Sequence, residues 1–135
     1  MACPYFYPVS RLDEKQWPNP PRLPLGDPYS GFCHARGEAT VPGETALRDL
    51  CNQGYARDSC AEFPSGDGPD AVRFCIASDT EQIVRILFIV ESNHLPYRHG
   101  ALEYSSHSET GEDVLQRQAH AYLESYRRRK ALCSV

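Results

Sequence analysis

Four cysteines in the first half of the chain are the residues with the clearest potential for chemistry. They are separated by 29, 17 and 8 residues and are Cys3, Cys33, Cys51 and Cys60. Thiolates bind soft metals, and four of them satisfy either a tetrahedral zinc ion or an iron–sulfur cluster. The spacing therefore predicts a four-cysteine metal site, and the type of metal is the next question.

Three interpretations of the four cysteines compete. Disulfides are typical of oxidising compartments, but the first residues lack the basic and apolar regions of a secretory signal. Zinc sites usually contain pairs of ligands two to four residues apart, and no Cys-x-x-Cys occurs, although His34 beside Cys33 offers a substitute ligand. A [4Fe-4S] cluster places one thiolate on each of four irons, so its ligands can come from separate loops. The wide spacing favours the cluster, with zinc as the alternative.

The spacing of these cysteines resembles that of the four-cysteine iron–sulfur domains of some DNA-repair helicases and primase subunits. The resemblance is in spacing alone and implies a cluster, not membership of a family. Cys3-Pro4 also resembles the ligand-proline ending of bacterial ferredoxin motifs. Arg57, between Cys51 and Cys60, is expected to offset the negative charge of the thiolates. Cys75 and Cys133 are not expected to be ligands, Cys75 because a mid-strand cysteine is usually a small buried side chain.

A second candidate site lies between residues 91 and 99. Glu91, His94 and His99 are side-chain types that bind catalytic zinc or transfer protons. However, the His-Glu-x-x-His signature of zinc hydrolases is absent, and Pro96 argues against a helix. A polar loop is the alternative, so these three residues are weak catalytic candidates and the chain is not expected to be an enzyme.

Charge and hydropathy exclude several partners. The 135 residues carry a net charge of −4, and the basic run Arg127–Lys130 is expected to be a solvated helix end. Nucleic acid is therefore an unlikely partner by composition. No apolar stretch reaches the roughly 18 residues of a membrane span.

Composition divides the chain near residue 69. Ten of the eleven prolines and seven of the nine glycines lie in residues 1–69, with seven Val, Leu or Ile against fifteen in residues 70–135. The first half has too few aliphatic side chains for an ordinary core, yet its aromatic residues argue against disorder. We therefore expect one domain in which a metal site holds a loop-rich first half, containing one short helix near 44–53, to the second half.

The second half has the patterns of a small α+β fold. Residues 71–77 alternate in polarity, residues 82–90 are nearly continuously apolar as in a strand covered on both faces, and residues 100–105 suggest a third strand. Leu115, Ala119, Tyr122 and Tyr126 recur at helical spacing within a helix predicted over 110–130, for which Thr110 and Asp113 resemble a capping box. The fold class expected is therefore an antiparallel sheet of about three strands packed with one long C-terminal helix.

The sequence thus predicts a cytoplasmic iron–sulfur protein with a structural or electron-transfer role and a redox partner protein. A zinc-stabilised interaction module and a small metal-dependent enzyme using Glu91, His94 and His99 remain the alternatives. Oligomeric state is not predicted.

Overall fold

The structure, a computed structural model, describes residues 2–12, 24–57, 59–64, 68–80, 82–105 and 113–133. Within these residues, two antiparallel sheets and two helices make up a mixed α+β fold. The elements in chain order are β1 (Phe6–Arg11), β2 (Tyr29–Cys33), α1 (Glu44–Ala46) continuing into a π-helical turn (Leu47–Cys51), β3 (Ala71–Asp79), β4 (Ile83–Ser92), β5 (Leu95–Ser105) and α2 (Val114–Cys133).

The larger sheet has the order β3-β4-β5, with both pairs antiparallel. Its apolar face buries Val84, Ile86, Phe88 and Val90 of the central strand. The prediction that this strand is covered on both faces is wrong for the described residues, because Leu87 on the opposite face is 40% exposed. Burial alternates along β4, as in an antiparallel sheet with one solvated face.

Helix α2 covers the apolar face of the larger sheet. The Tyr122 ring of α2 stacks on Phe74 of β3, with ring centroids 5.7 Å apart. The helix begins beside Asp113, whose Oδ1 accepts a hydrogen bond from the Gln116 N–H at 2.7 Å. Asp113 is therefore a side-chain cap of the helix, and the proposed partner Thr110 lies outside the described residues. No helix in the described part of the chain is long and apolar enough to span a membrane.

A two-stranded sheet in the first half was not predicted. Strand β1 pairs with β2, and their register shifts between Pro8 and Ser10. The strands approach closely at Gly31, where an added Cβ would lie 2.0 Å from the Tyr7 carbonyl oxygen. Strand β1 escapes the sequence patterns because Pro8 lacks a backbone donor and normally argues against a strand, except at edges and bulges. Glycine at position 31 is required by this close approach.

The first half shares the core of the second. Ala2 forms a β-bridge to Val72, and Phe6, Leu25 and Tyr29 belong to the same buried cluster as the sheet and α2. The Tyr29 hydroxyl donates to the Ala121 carbonyl at 2.8 Å. Burial against the sheet and helix therefore supplies part of the cohesion that the sequence argument assigned to a metal. The four-cysteine metal site expected within this fold is not itself shown by the structure.

Candidate metal centre

The four cysteines come from four segments that meet around the start of β1. Cys3 precedes β1, and its N–H donates to the Cys51 carbonyl at 3.2 Å, at the end of the π-helical turn. Cys33 ends β2 and lies opposite Phe6 in the β1–β2 pair. The backbone therefore brings three of the predicted ligands to one end of the small sheet.

Cys60 joins this group through the loop that follows Cys51. The Cys60 carbonyl accepts the Phe63 N–H at 3.2 Å, which forms a tight turn. The Phe63 ring then packs edge-on against Tyr5, with centroids 5.3 Å apart. Because Tyr5 is two residues from Cys3, this aromatic contact holds the Cys60 loop beside the Cys3 turn.

Burial and the neighbouring thiols disfavour ionisation of the two buried cysteines. Burial, and then the nearby thiols of Cys3, Cys33 and Cys60, raise the pKa of Cys51 to about 12. Burial also raises the pKa of Cys3 to about 12, against the lowering effect of its backbone hydrogen bond with Tyr5 and with smaller contributions from Cys33 and Cys60. Ionising these thiols requires a compensating positive charge nearby, which a bound metal provides.

The four cysteines are not equally exposed. Within the described ranges, no group of three or more His, Cys, Asp or Glu side chains is arranged to hold a metal ion. Cys3 and Cys51 are buried, whereas Cys33 and Cys60 are half-buried. The structure thus gathers the four cysteines in one region, with Cys33 and Cys60 as the more exposed pair.

Arg57, which was expected to offset the charge of the thiolates, is paired with a carboxylate. Its guanidinium forms an ion pair with Asp70, donates to the Gly68 carbonyl at 3.2 Å and lies over the Phe63 ring. The positive charge is therefore matched by Asp70. Through Phe63 and Asp70, Arg57 contributes to the position of the loop.

Two buried amides, which the sequence analysis did not identify, fix the backbone around the cysteines. Asn52 Oδ1 accepts the Tyr29 N–H at 3.0 Å, and Asn52 Nδ2 donates to the Tyr29 and Leu47 carbonyls at 3.0 and 2.9 Å. Gln118 Nε2 donates to the Cys3 and Phe6 carbonyls, both at 2.7 Å. An amide carries donors and an acceptor, so it can replace a missing backbone partner, but no local pattern reveals such a long-range contact.

The second candidate site is a β-turn. Glu91 lies in β4 and His99 in β5, so the expected loop shrinks to Asn93 and His94, which have φ of 53° and 62°. Two central residues with positive φ are typical of a two-residue hairpin turn, and asparagine tolerates this conformation well. The expectation of a longer polar loop is wrong because Pro96 is accommodated in β5, at the edge of the sheet.

The structure brings Glu91 and His94 together through Tyr55. The Tyr55 hydroxyl donates to Glu91 Oε1, and the Tyr55 ring stacks on His94 with centroids 4.8 Å apart. Burial and the Glu91 hydrogen bond raise the pKa of Tyr55 to about 12, so the phenol stays protonated. His99 is separate from this pair, opposite Ile89 and exposed. The three residues therefore do not form the metal-binding group considered from the sequence.

The other two cysteines lie in β3 and at the last residue of α2. Cys75 lies on the solvent-facing side of β3 opposite Leu87 and is exposed, so the expectation of a buried side chain is wrong. Its face of the sheet is the one turned away from α2. Cys133 is the last residue of α2.

Comparison with known proteins gives no assignment for this arrangement. No family model, curated protein or solved structure matches the chain.

Proposed function

We propose that the chain binds a [4Fe-4S] cluster through Cys3, Cys33, Cys51 and Cys60. The observation that carries the proposal is that backbone and aromatic contacts bring Cys3, Cys33, Cys51 and Cys60 into one region, although they are up to 57 residues apart in sequence. A chain that merely needs small buried side chains has no reason to collect four cysteines from four segments. Thiolates that lie close together repel one another when free, and a bound metal ion removes this repulsion, so the group favours metal binding.

The donor set fits a cluster better than a single zinc ion. Four thiolates on a cluster belong to four different irons and are farther apart than the ligands of one ion. The four cysteines come from separate segments, with at least eight residues between successive ones, as a wider arrangement of ligands allows. With every iron bound by a thiolate, the cluster has no open position, and its chemistry when bound is one-electron transfer or structural support.

The unequal exposure of the cysteines supports a redox role with a partner protein. Cys3 and Cys51 are buried, and Cys33 and Cys60 are half-buried. An electron would therefore pass between the cluster and a partner protein most directly on the side of the cluster bound by Cys33 and Cys60. We place this activity in the cytoplasm, because a reducing compartment keeps free thiols such as the exposed Cys75 reduced.

Substitution of single cysteines tests the ligand set. After anaerobic reconstitution with ferrous iron and sulfide, we expect the wild-type chain to show broad visible absorption and the Cys51→Ala variant to lose it. Cys75→Ala is the matched control, since it removes one cysteine outside the proposed ligand set and should load normally. Loading of Cys51→Ala to the wild-type level would show that the proposed ligand set is wrong.

A further inference from the structure

A cleft at the C-terminal end of α2 lies apart from the cysteines. Its volume is about 330 Å³, and its lining among the described residues is formed by Gly26, Ile76, Tyr122, Tyr126, Arg129 and Lys130. Four of these residues belong to α2 and share one face of the helix, because they are four, three and one residues apart: Tyr122, Tyr126, Arg129 and Lys130. A volume of roughly 300–1,000 Å³ is typical of sites for small molecules.

The aromatic walls of the cleft are held in place by contacts within the protein. The Tyr122 ring stacks on Phe74. The Tyr126 hydroxyl donates to Asp79 Oδ2 at 2.6 Å, and Lys130 Nζ donates to the same oxygen at 2.6 Å. A ligand would therefore contact the Tyr122 and Tyr126 rings and the apolar side chain of Ile76. Because the two rings are already held in place, binding would cost little side-chain conformational entropy.

The opposite wall is a turn that glycine brings against the helix. Gly26 has φ of +88°, and an added Cβ would lie 2.6 Å from the Ser125 Cβ. Arg129 donates to the Gly26 carbonyl, and its side chain remains 55% exposed at the rim of the cleft. This contact fixes the guanidinium at the entrance while leaving part of it open to solvent.

The charge at this end of the helix is positive in a chain of net negative charge. The run Arg127–Lys130 supplies four cations, against the nearby carboxylates of Asp27, Asp79 and Glu124. Arg128 and Arg129 share the carboxylate of Asp27, with Arg129 at 3.8 Å, and Asp79 pairs with Lys130. Two arginines on one carboxylate leave a positive charge at the rim. An anionic group would therefore be attracted to the rim at Arg129, while an aromatic ring would be accommodated between the tyrosines.

We propose that this cleft binds a small aromatic molecule with one anionic group, such as an aryl phosphate or an aryl carboxylate. The ring packs on Ile76 between Tyr122 and Tyr126, and the anionic group accepts hydrogen bonds from Arg129. Stacking of aromatic rings and charge-assisted hydrogen bonds to an arginine are each specific interactions, and the cleft combines both.

Titration with phenyl phosphate, followed by the NMR shifts of the Gly26 and Ile76 amides, tests the proposal. We expect saturable binding at least tenfold tighter than that of inorganic phosphate or of phenol, because each of these carries only half of the recognised chemistry. Equal binding of inorganic phosphate, or shifts that never saturate, would overturn the proposal. Benzoate in place of phenyl phosphate shows whether the carboxylate or the phosphate is preferred.

Two charge variants and one control locate the binding. Arg129→Gln and Lys130→Gln should each weaken phenyl phosphate binding about tenfold. Arg129→Gln removes the cation that donates to the anionic group, and Lys130→Gln leaves the Asp79 carboxylate without its lysine partner. Arg127→Gln removes the same charge from a residue that does not line the cleft, so it should change the affinity less than twofold. Circular dichroism shows whether each variant folds. If either Arg129→Gln or Lys130→Gln fails to fold, the remaining one of these two variants provides the test. Unchanged affinity in a folded Arg129→Gln or Lys130→Gln would overturn the assignment.

Discussion

Replacing Asn52 with alanine is expected to destabilise the protein more than any change to a neighbouring exposed residue. Asn52 is 1% exposed, and its side chain makes three hydrogen bonds to the backbone of Tyr29 and Leu47. The alanine variant leaves these backbone groups without that partner in a region closed to water. The change therefore tests whether the π-helical turn carrying Cys51 is joined to β2 as described.

The expected magnitude follows from the number of bonds lost. A hydrogen bond contributes about 1 kcal/mol net, so three of them predict a loss of about 3 kcal/mol in the free energy of unfolding. This is a large share of the roughly 5–15 kcal/mol that stabilises a typical domain. With a urea dependence of roughly 1.5 kcal/mol per molar, the unfolding midpoint should fall by roughly 2 M.

Urea unfolding followed by circular dichroism measures this loss. Gln53→Ala is the matched control, because Gln53 is adjacent and makes one exposed hydrogen bond to the Arg48 carbonyl at 3.1 Å. The control should change stability by less than about 0.5 kcal/mol. If Asn52→Ala and Gln53→Ala shifted the midpoint equally, the reasoning about the buried amide would be refuted.

Three further predictions concern pH and glycine. Burial raises the pKa of Asp70, but hydrogen bonds from the Asn93 N–H and Arg57 outweigh it and hold the pKa below its usual value. A carboxyl whose pKa is lowered by folding stabilises the protein above about pH 4, and this stabilisation is lost as the pH falls further. The difference in urea midpoint between wild type and Asp70→Asn should therefore become smaller on acidification. A difference that does not depend on pH would contradict this. Gly100→Ala should cost about 1–3 kcal/mol in urea unfolding, since its Cβ would lie 2.8 Å from the Phe88 ring, and a neutral result would contradict that packing. Gly31→Ala should cost at least as much, because its clash is with backbone; thermal unfolding measures it, and a melting temperature equal to that of wild type would rule out the close approach.

Much of the second half could be predicted from sequence because its patterns are local. Alternating polarity identified β3, and the helical spacing of Leu115, Ala119 and Tyr122 identified α2. Strand β5 was predicted too short, because residues 91–99, with Pro96 among them, were interpreted as a polar loop, although an edge strand tolerates proline. Proline likewise concealed β1. The helix predicted near 44–53 corresponds to α1 and its π-helical turn.

The surroundings of the candidate site were beyond sequence reasoning for a physical reason. The cysteines were identified by residue type, but the contacts that position them span long stretches of chain. Gln118, for example, bonds to the Cys3 carbonyl 115 residues away, and Tyr55 reaches Glu91 across 36. No local pattern encodes such pairings. Arg57 was assigned to the thiols because it is near them in sequence, whereas folding places Asp70 beside it.

The central claim is that Cys3, Cys33, Cys51 and Cys60 hold a [4Fe-4S] cluster. Metal and acid-labile sulfide analysis of the anaerobically purified chain tests it most directly. The account predicts about four irons and four sulfides per chain. A colourless protein with one zinc per chain and no sulfide would contradict it.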